Sequence, residues 1–496
     1  MKPYTIKSAR GGVSDENDKG IAGSFKFGYG LDIHGRDDVL KAGSTAAVIF
    51  DASTGELGRG TSHGTTINSH FNVFVPSMDG STYMFGATGS IFARSGDGYI
   101  TNVYNDEEGI TGAGEFGLSD GAVYMFWGKS TSIARRQMGG TFDTARDSGQ
   151  ALWSNATNVW KTEKILSTAV WHTMINASGS LTIANAEGLG IVDFDGNFDP
   201  LKLNIRPGNV INALEERDDY VILGTERSDD AEEGHLWSWI VTALNYVQKK
   251  RIPIFGVNAL ITAEMPLLQG GDDGEIFPSD FVNSVPMATL PGGGKVIPGG
   301  VTVHEDLAVF GMFGGTYPGL WTYGRRNRNR GNALNYQYRL SPTVSGSIVS
   351  TIGAIAVVNG ELLASWGTTD GSTSEYGVDA ISSTTKANAV YEGLETDKGG
   401  AWARLMVDTV KCVFSPLVSG TSFSIKYKSD KESAWRYALL GTLSTTFSTA
   451  GETVAEFNLG NPAHIFEIGV ELNSSGADSP EIHEVTAYLG DKPNAF

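Results

Sequence analysis

Short strings of alternating or continuous apolar residues recur along this chain between turns rich in Gly, Asp and Ser. No long stretch carries the apolar spacing of an amphipathic helix, so the pattern predicts strands and tight turns almost throughout. The clearest unit occurs twice, 41 residues apart: Asp79-Gly80, Tyr83-Met84-Phe85, Ser90-Ile91 and Ala93-Arg94, then Asp120-Gly121, Tyr124-Met125-Phe126 and Ser132-Ile133-Ala134-Arg135. A β-rich repeat of roughly 40 to 50 residues has the size of one β-propeller blade.

Looser versions follow at Trp171 to Ile183, Tyr220 to Ile240, Leu307 to Tyr323 and Glu361 to Val378, and even spacing requires another near Leu260 to Phe277. The expected fold is all-β: a β-propeller of about seven blades, with six or eight as alternatives, followed by a C-terminal β-sandwich. The isolated strand Ala46 to Phe50 precedes the first unit and is placed to complete the last blade, which would remove an exposed sheet edge. A β-helix coil is too short for these units, and one sandwich holds too few strands.

Three segments result. Residues 1–42 are polar and Gly-rich and read as an extended N-terminal arm, either solvated or ordered on a neighbouring subunit. Residues 43–393 form the propeller. Residues 394–496, opening on Glu395-Thr396-Asp397-Lys398-Gly399-Gly400, read as five or six strands of a compact β-sandwich.

Composition narrows the chemistry. The 496 residues include 64 Gly, and 37 Lys plus Arg stand against 56 Asp plus Glu, a formal net charge of -19. Such a surface repels nucleic acid over most of its area. Cys412 is the only cysteine, so an intrachain disulfide and a cysteine metal cage are both excluded, and its strand-like setting reads as a packed thiol. The opening Met1 to Lys7 lacks the apolar stretch of a signal peptide, and no apolar run is long enough to span a membrane as a helix. Synthesis in a reducing cytoplasm, without membrane insertion, is the expectation.

Several strings share letters with catalytic or ligand-binding motifs. Gly60-Thr61-Ser62-His63-Gly64 matches a hydrolase elbow in letters, but its flanks are neither a buried strand nor a helix. Ser77-Met78-Asp79-Gly80 and Ser95-Gly96-Asp97-Gly98 place Gly directly after Asp, which departs from sialidase turns and suits hairpins. His63 and His70 lack a third zinc ligand, and His304-Glu305 lacks the second His of a zincin. Gly292-Gly293-Gly294-Lys295 is no phosphate loop. Asp193, Asp195 and Asp199 are a weak Ca²⁺ candidate beside the simpler reading of a solvated turn. No catalytic residue and no cofactor is expected.

Arg325, Arg326, Arg328 and Arg330 place four guanidinium groups in six residues of an acidic chain. Such a string suits an exposed loop, a contact with an acidic patch on a neighbouring subunit, or a contact with DNA or lipopolysaccharide phosphate, and Ser228 to Glu233 is a natural acidic counterpart, in cis or across an interface. Trp127, Trp321 and Trp366 sit at or near strand ends, where packing between blades is the simplest role and stacking on sugar rings the alternative.

The polar opening with Ala9-Arg10-Gly11-Gly12-Val13 and Lys26 to Ile33, the Tyr-Met-Phe-Gly repeats, and Phe423 to Asp430 followed by Trp435 together resemble structural proteins of tailed bacteriophages. The resemblance implies a virion protein assembled in the host cytoplasm, a tail component forming a homo-oligomeric ring and contacting other tail or portal-proximal proteins. A tail protein that binds a host-surface glycan receptor is the second expectation, and a glycan-cleaving depolymerase the third.

Overall fold

The computed structural model describes residues 2–14, 23–35, 39–51, 55–56, 67–96, 100–106, 108–138, 160–227, 233–326, 331–341, 348–369, 374–397, 405–429, 432–459, 462–463 and 465–491. Among them all regular structure is β-strand. Six four-stranded antiparallel sheets follow one another at residues 71–105, 112–165, 174–204, 209–252, 257–289 and 301–338. The seventh holds Ile348–Val358, Glu361–Thr369 and Ser374–Lys386, and Ser44–Asp51 supplies its fourth strand. This is a seven-bladed propeller closed by its N-terminal strand: Phe50 pairs with Val378 and Ala47 with Ala380.

The doubled phrase has a packing cause. Strands buried on both faces need apolar residues at every position, and alternate side chains then serve opposite neighbours. Tyr83 and Phe85 of blade one meet Met125 and Trp127 of blade two in one cluster. Met84 turns the other way, toward Phe50 and Leu363 of blade seven, while Tyr124 and Phe126 face Leu181 and Ile183 of blade three. The leading Asp caps the turn in both copies. Tyr83 donates its hydroxyl to Asp79 Oδ2 and Tyr124 to Asp120 Oδ2, each at 2.9 Å. Gly80 and Gly121, at φ 81° and 78°, take a left-handed conformation that favours glycine.

The inner strands of blades one, four and five share a bulge that leaves Asn72, Asn212 and Asn258 outside the regular pairing. Asn72 uses its amide to reach Ile110 O of blade two at 2.8 Å. The bulge thus supplies a bond between blades that a regular ladder would not.

The C-terminal unit is a two-sheet sandwich. One sheet runs Lys2–Ile6, Ile482–Asp491, Leu405–Phe414, Val454–Asn458; the other centres on Ser422–Ser429 and Ile465–Asn473 and continues through Ala389–Glu392 to Phe27–Tyr29. Their shared core holds Phe25, Tyr391, Cys412, Phe414, Phe423, Phe457 and Ile468. Two boundaries differ from the sequence reading. Residues 389–392 pair into the sandwich, earlier than the expected start at 394. The described residues of the expected 1–42 arm build their own chain's sandwich and do not form a free extension; the apolar set Ile6, Phe25, Leu31 and Ile33 finds its core there.

That N-terminal segment also binds the sandwich to blade six. Gly30 N donates to Tyr336 O at 3.1 Å, and Asn335 Nδ2 donates to Leu31 O at 2.9 Å. Phe27 stacks on Tyr317 at 4.2 Å, and Arg339 lies 4.7 Å over the Tyr29 ring.

Candidate interaction surface

In an antiparallel four-stranded meander the first and third turns emerge on one face of the ring, and the second turn and the link to the next blade emerge on the other. The sandwich is attached where the third turn of blade seven would stand, so it shares a face with the first and third turns of the other blades. This face carries Arg325 and Arg326, the Asp193 turn and a run of exposed apolar residues.

Arg325 and Arg326 follow the blade-six strand Gly319–Gly324. Arg325 grips Glu264 of blade five in a forked contact, Nε to Oε2 at 2.8 Å and Nε to Oε1 at 3.1 Å. Bonding to Glu264 raises the Arg325 pKa above its ordinary value. Arg326 pairs with Glu305, at the first turn of its own blade. Among the described residues the cis partners of Arg325 and Arg326 are therefore Glu264 and Glu305. Of the expected acidic run at 228–233 only Glu233 is described, and it pairs with Arg251 at 2.9 Å. Arg328 and Arg330 lie outside the described residues, as do residues 60–64 with the elbow-like string and His63.

Asp193, Asp195 and Asp199 do not converge as a ligand set, and no group of three or more metal-binding side chains exists among the described residues. Asp193 instead closes its own turn, accepting from Asn197 N at 2.8 Å and Asn197 Nδ2 at 3.0 Å, and these bonds hold its carboxyl below the usual range. Asp199 accepts from Leu201 N at 3.1 Å. With Asp193 and Asp199 engaged by neighbouring donors, the turn lacks the convergent oxygens that a cation needs. What the turn presents is Phe194, 58% exposed.

Blades four and five extend the apolar character. Leu244, Tyr246 and Val247 in the third turn of blade four are exposed, and so are Val282, Val285 and Met287 in the corresponding turn of blade five. Lys250 Nζ reaches Val282 O at 3.2 Å and links the two blades. Beside them opens a cleft of about 490 Å³ lined by Arg217, Met265, Pro266, Pro278, Val285 and Met287 among others. Asp280 shapes its wall by accepting from Val282 N, Asn283 N and Asn283 Nδ2 at 2.9, 2.7 and 2.9 Å. Arg217 Nη1 donates to Ser279 O at 3.3 Å, one of the five donors of a guanidinium. The sequence marked none of these apolar residues, because their letters match those of core strands.

The tryptophans face inward. Trp127, Trp321 and Trp366 are buried, and their indole N–H groups go to Asp106 Oδ2 at 3.0 Å, Tyr317 O at 3.1 Å and Asp379 Oδ1 at 2.7 Å. Buried in this way they offer no face to a sugar ring. Asp106 also takes Lys129 Nζ at 2.8 Å, while burial pushes the Asp379 carboxyl up despite its bonds from Trp366 and Ser341. Cys412 is fully enclosed, and burial raises its thiol. The Lys426-Tyr427 and Trp435 pattern is structural too. Lys426 Nζ meets Glu392 Oε1 at 2.7 Å and sits 4.8 Å over the Trp435 ring.

No protein-family model matches the chain, and no curated protein sequence matches it. Among solved structures it is similar to the WD40 β-propeller domain of Doa1, with a TM-score of 0.44 and 9% identity over 68% of this chain and 97% of that one. It is also similar to Chaetomium thermophilum Raptor, at 0.43 and 12% over 68% of this chain and 29% of that one. The computationally designed Ika8 protein gives 0.35 and 13% over 61% and 84%. The propeller assignment itself stands on the seven sheets and their closure by Ser44–Asp51.

Proposed function

We propose that this chain is a structural protein of a tailed-bacteriophage virion, a tail component that acts through contacts with neighbouring subunits. The observation that carries the reading is the apolar surface of blades four and five, where Leu244 is 86% and Val282 80% exposed beside the cleft. Clustered exposed apolar residues in an otherwise acidic surface mark a place where another protein sits. The sequence resemblance supplies the virion context. The chain's partners on this reading are copies of itself and other tail or portal-proximal proteins.

The test is composition and imaging of purified virions. Mass spectrometry of gradient-purified particles should find the chain at stoichiometric copy number, and gold-labelled antibody should decorate the tail. Absence from intact particles that contain the other tail proteins would overturn the reading.

A further inference from the structure

The Asp193 turn and the blade-four/five cleft are chemically matched, and one molecule cannot bring them together. The turn belongs to blade three, between Gly188–Val192 and Phe198–Asn204. The cleft lies between blades four and five, reached from Arg217 on one side and from Met265, Pro278 and Met287 on the other. Blade four therefore stands between them. Both features open on the same face of the ring.

The turn is a preformed knob. Two bonds from Asn197 to Asp193 fix its backbone, and Ser119 N of blade two donates to Phe194 O at 2.8 Å. Phe194 projects with Asp193 and Asp195 on either side. The cleft is a corresponding hole. Its Met and Pro walls suit an aromatic ring, its volume of about 490 Å³ admits one, and the cations Arg217 and Lys250 at its edge outnumber the Asp280 carboxylate in its lining.

We infer that Phe194 of one copy enters the cleft of a second copy, with Asp195 facing Arg217 and Lys250 while Asp193 stays bonded to Asn197 within the turn. If each molecule carries both knob and hole, the contact is reciprocal, as a two-fold pair requires. A rigid turn loses little entropy on docking, and an aromatic anchor in a lined pocket is a typical centre of binding energy. The inference deepens the subunit-contact reading by naming the partner as this chain itself.

Sedimentation velocity of the purified full chain over a range of concentrations tests it. The expected result is a species of twice the chain mass, with Phe194→Ser and Arg217→Asp each weakening association by about thirtyfold, the size of a lost hot spot. The double variant Asp195→Arg with Arg217→Asp should recover part of the loss. Thermal melting checks that each variant is folded, which the exposure of both positions favours. A chain that stays monomeric throughout overturns the inference, and so does a dimer indifferent to either single variant. Virion composition, which tests the tail reading, is a separate measurement, so either idea can fail without the other.

Discussion

Lys129 Nζ lies 2.8 Å from Asp106 Oδ1 inside the propeller, with each side chain only 7% exposed. Trp127 Nε1 reaches the other oxygen of the same carboxylate at 3.0 Å. The link from Asp106 after blade one to Trp127 and Lys129 of blade two fastens adjacent blades. Removing one member strands the other charge in a dry site, at a cost of about 3 to 5 kcal/mol. Asp106→Ala and Lys129→Met should each lower the urea midpoint sharply, and the double replacement Asp106→Leu with Lys129→Met should recover much of the loss. Additive losses in the double variant would show that the two side chains are not coupled.

Acid should weaken the fold well above the carboxylate range. Burial is the first cause holding His70, His172, His235 and His304 below the ordinary 6.5, and His235 is pushed down to about 4, with Lys249 adding to the effect. The unfolded chain binds these protons at higher pH than the folded one does. Stability is therefore present at neutral pH and is lost as pH falls from 6.5 through about 4. Melting temperature should drop across that window, and His235→Gln should make the drop shallower. An unchanged slope in the variant would remove His235 from the account.

The Arg325–Glu264 fork should behave as an exchangeable pair. Arg325→Glu places two carboxylates together at the junction of blades five and six, while Glu264→Arg does the same with two guanidinium groups. Each single variant should lower the melting temperature more at low salt than at high salt, as an exposed pair does. The swapped double variant should return close to the parent. If the single variants melt like the parent at both salt levels, the fork contributes nothing to the junction.

Phe25 and Phe50 lie 25 residues apart in sequence but in different cores, one in the sandwich and one in the propeller between blades seven and one. Truncating either to Ala should cost about 3 to 5 kcal/mol. The damage should be local. Limited proteolysis of Phe25→Ala should cleave first within residues 405–491, and that of Phe50→Ala within the blades next to the closure. Identical cleavage patterns would mean that the two units unfold as one.

The blades were legible because each middle strand is apolar at consecutive positions, as Tyr83-Met84-Phe85 and Leu307-Ala308-Val309-Phe310 show, and only burial on both faces demands that. The closing strand was legible for the same reason, as an apolar string without a partner of its own. The N-terminal segment was misread because its apolar residues are spaced between Gly and charged residues. The Phe25 ring meets Tyr391 at 5.4 Å and Leu31 O takes the Asn335 amide at 2.9 Å, contacts hundreds of positions away in sequence that no local period reveals. Asp106 and Lys129 were equally silent, since a charge at a strand end reads as solvated until its partner is known. The Asp193 turn offers three carboxylates close together in sequence, but backbone and amide donors beside them engage Asp193 and Asp199. The cis partner of Arg325 lies 61 residues away, beyond any local pattern.

Thr5 and Thr486 bring their hydroxyls within 3.4 Å across 481 residues of chain, and Ser44–Asp51 waits for Ser374–Lys386 in the same manner. During synthesis both N-terminal strands leave the ribosome long before their partners exist. The six blades that use only consecutive strands can form as they emerge, whereas closure of the ring waits for residues 374–386 and assembly of the sandwich for residues 405–491. Such long-range pairing is slow and leaves strand edges open meanwhile. The nascent chain is thus most exposed to misassembly at the strands within residues 2–51 and at their partners beyond residue 374, and a chaperone that shelters residues 2–51 would act on both units.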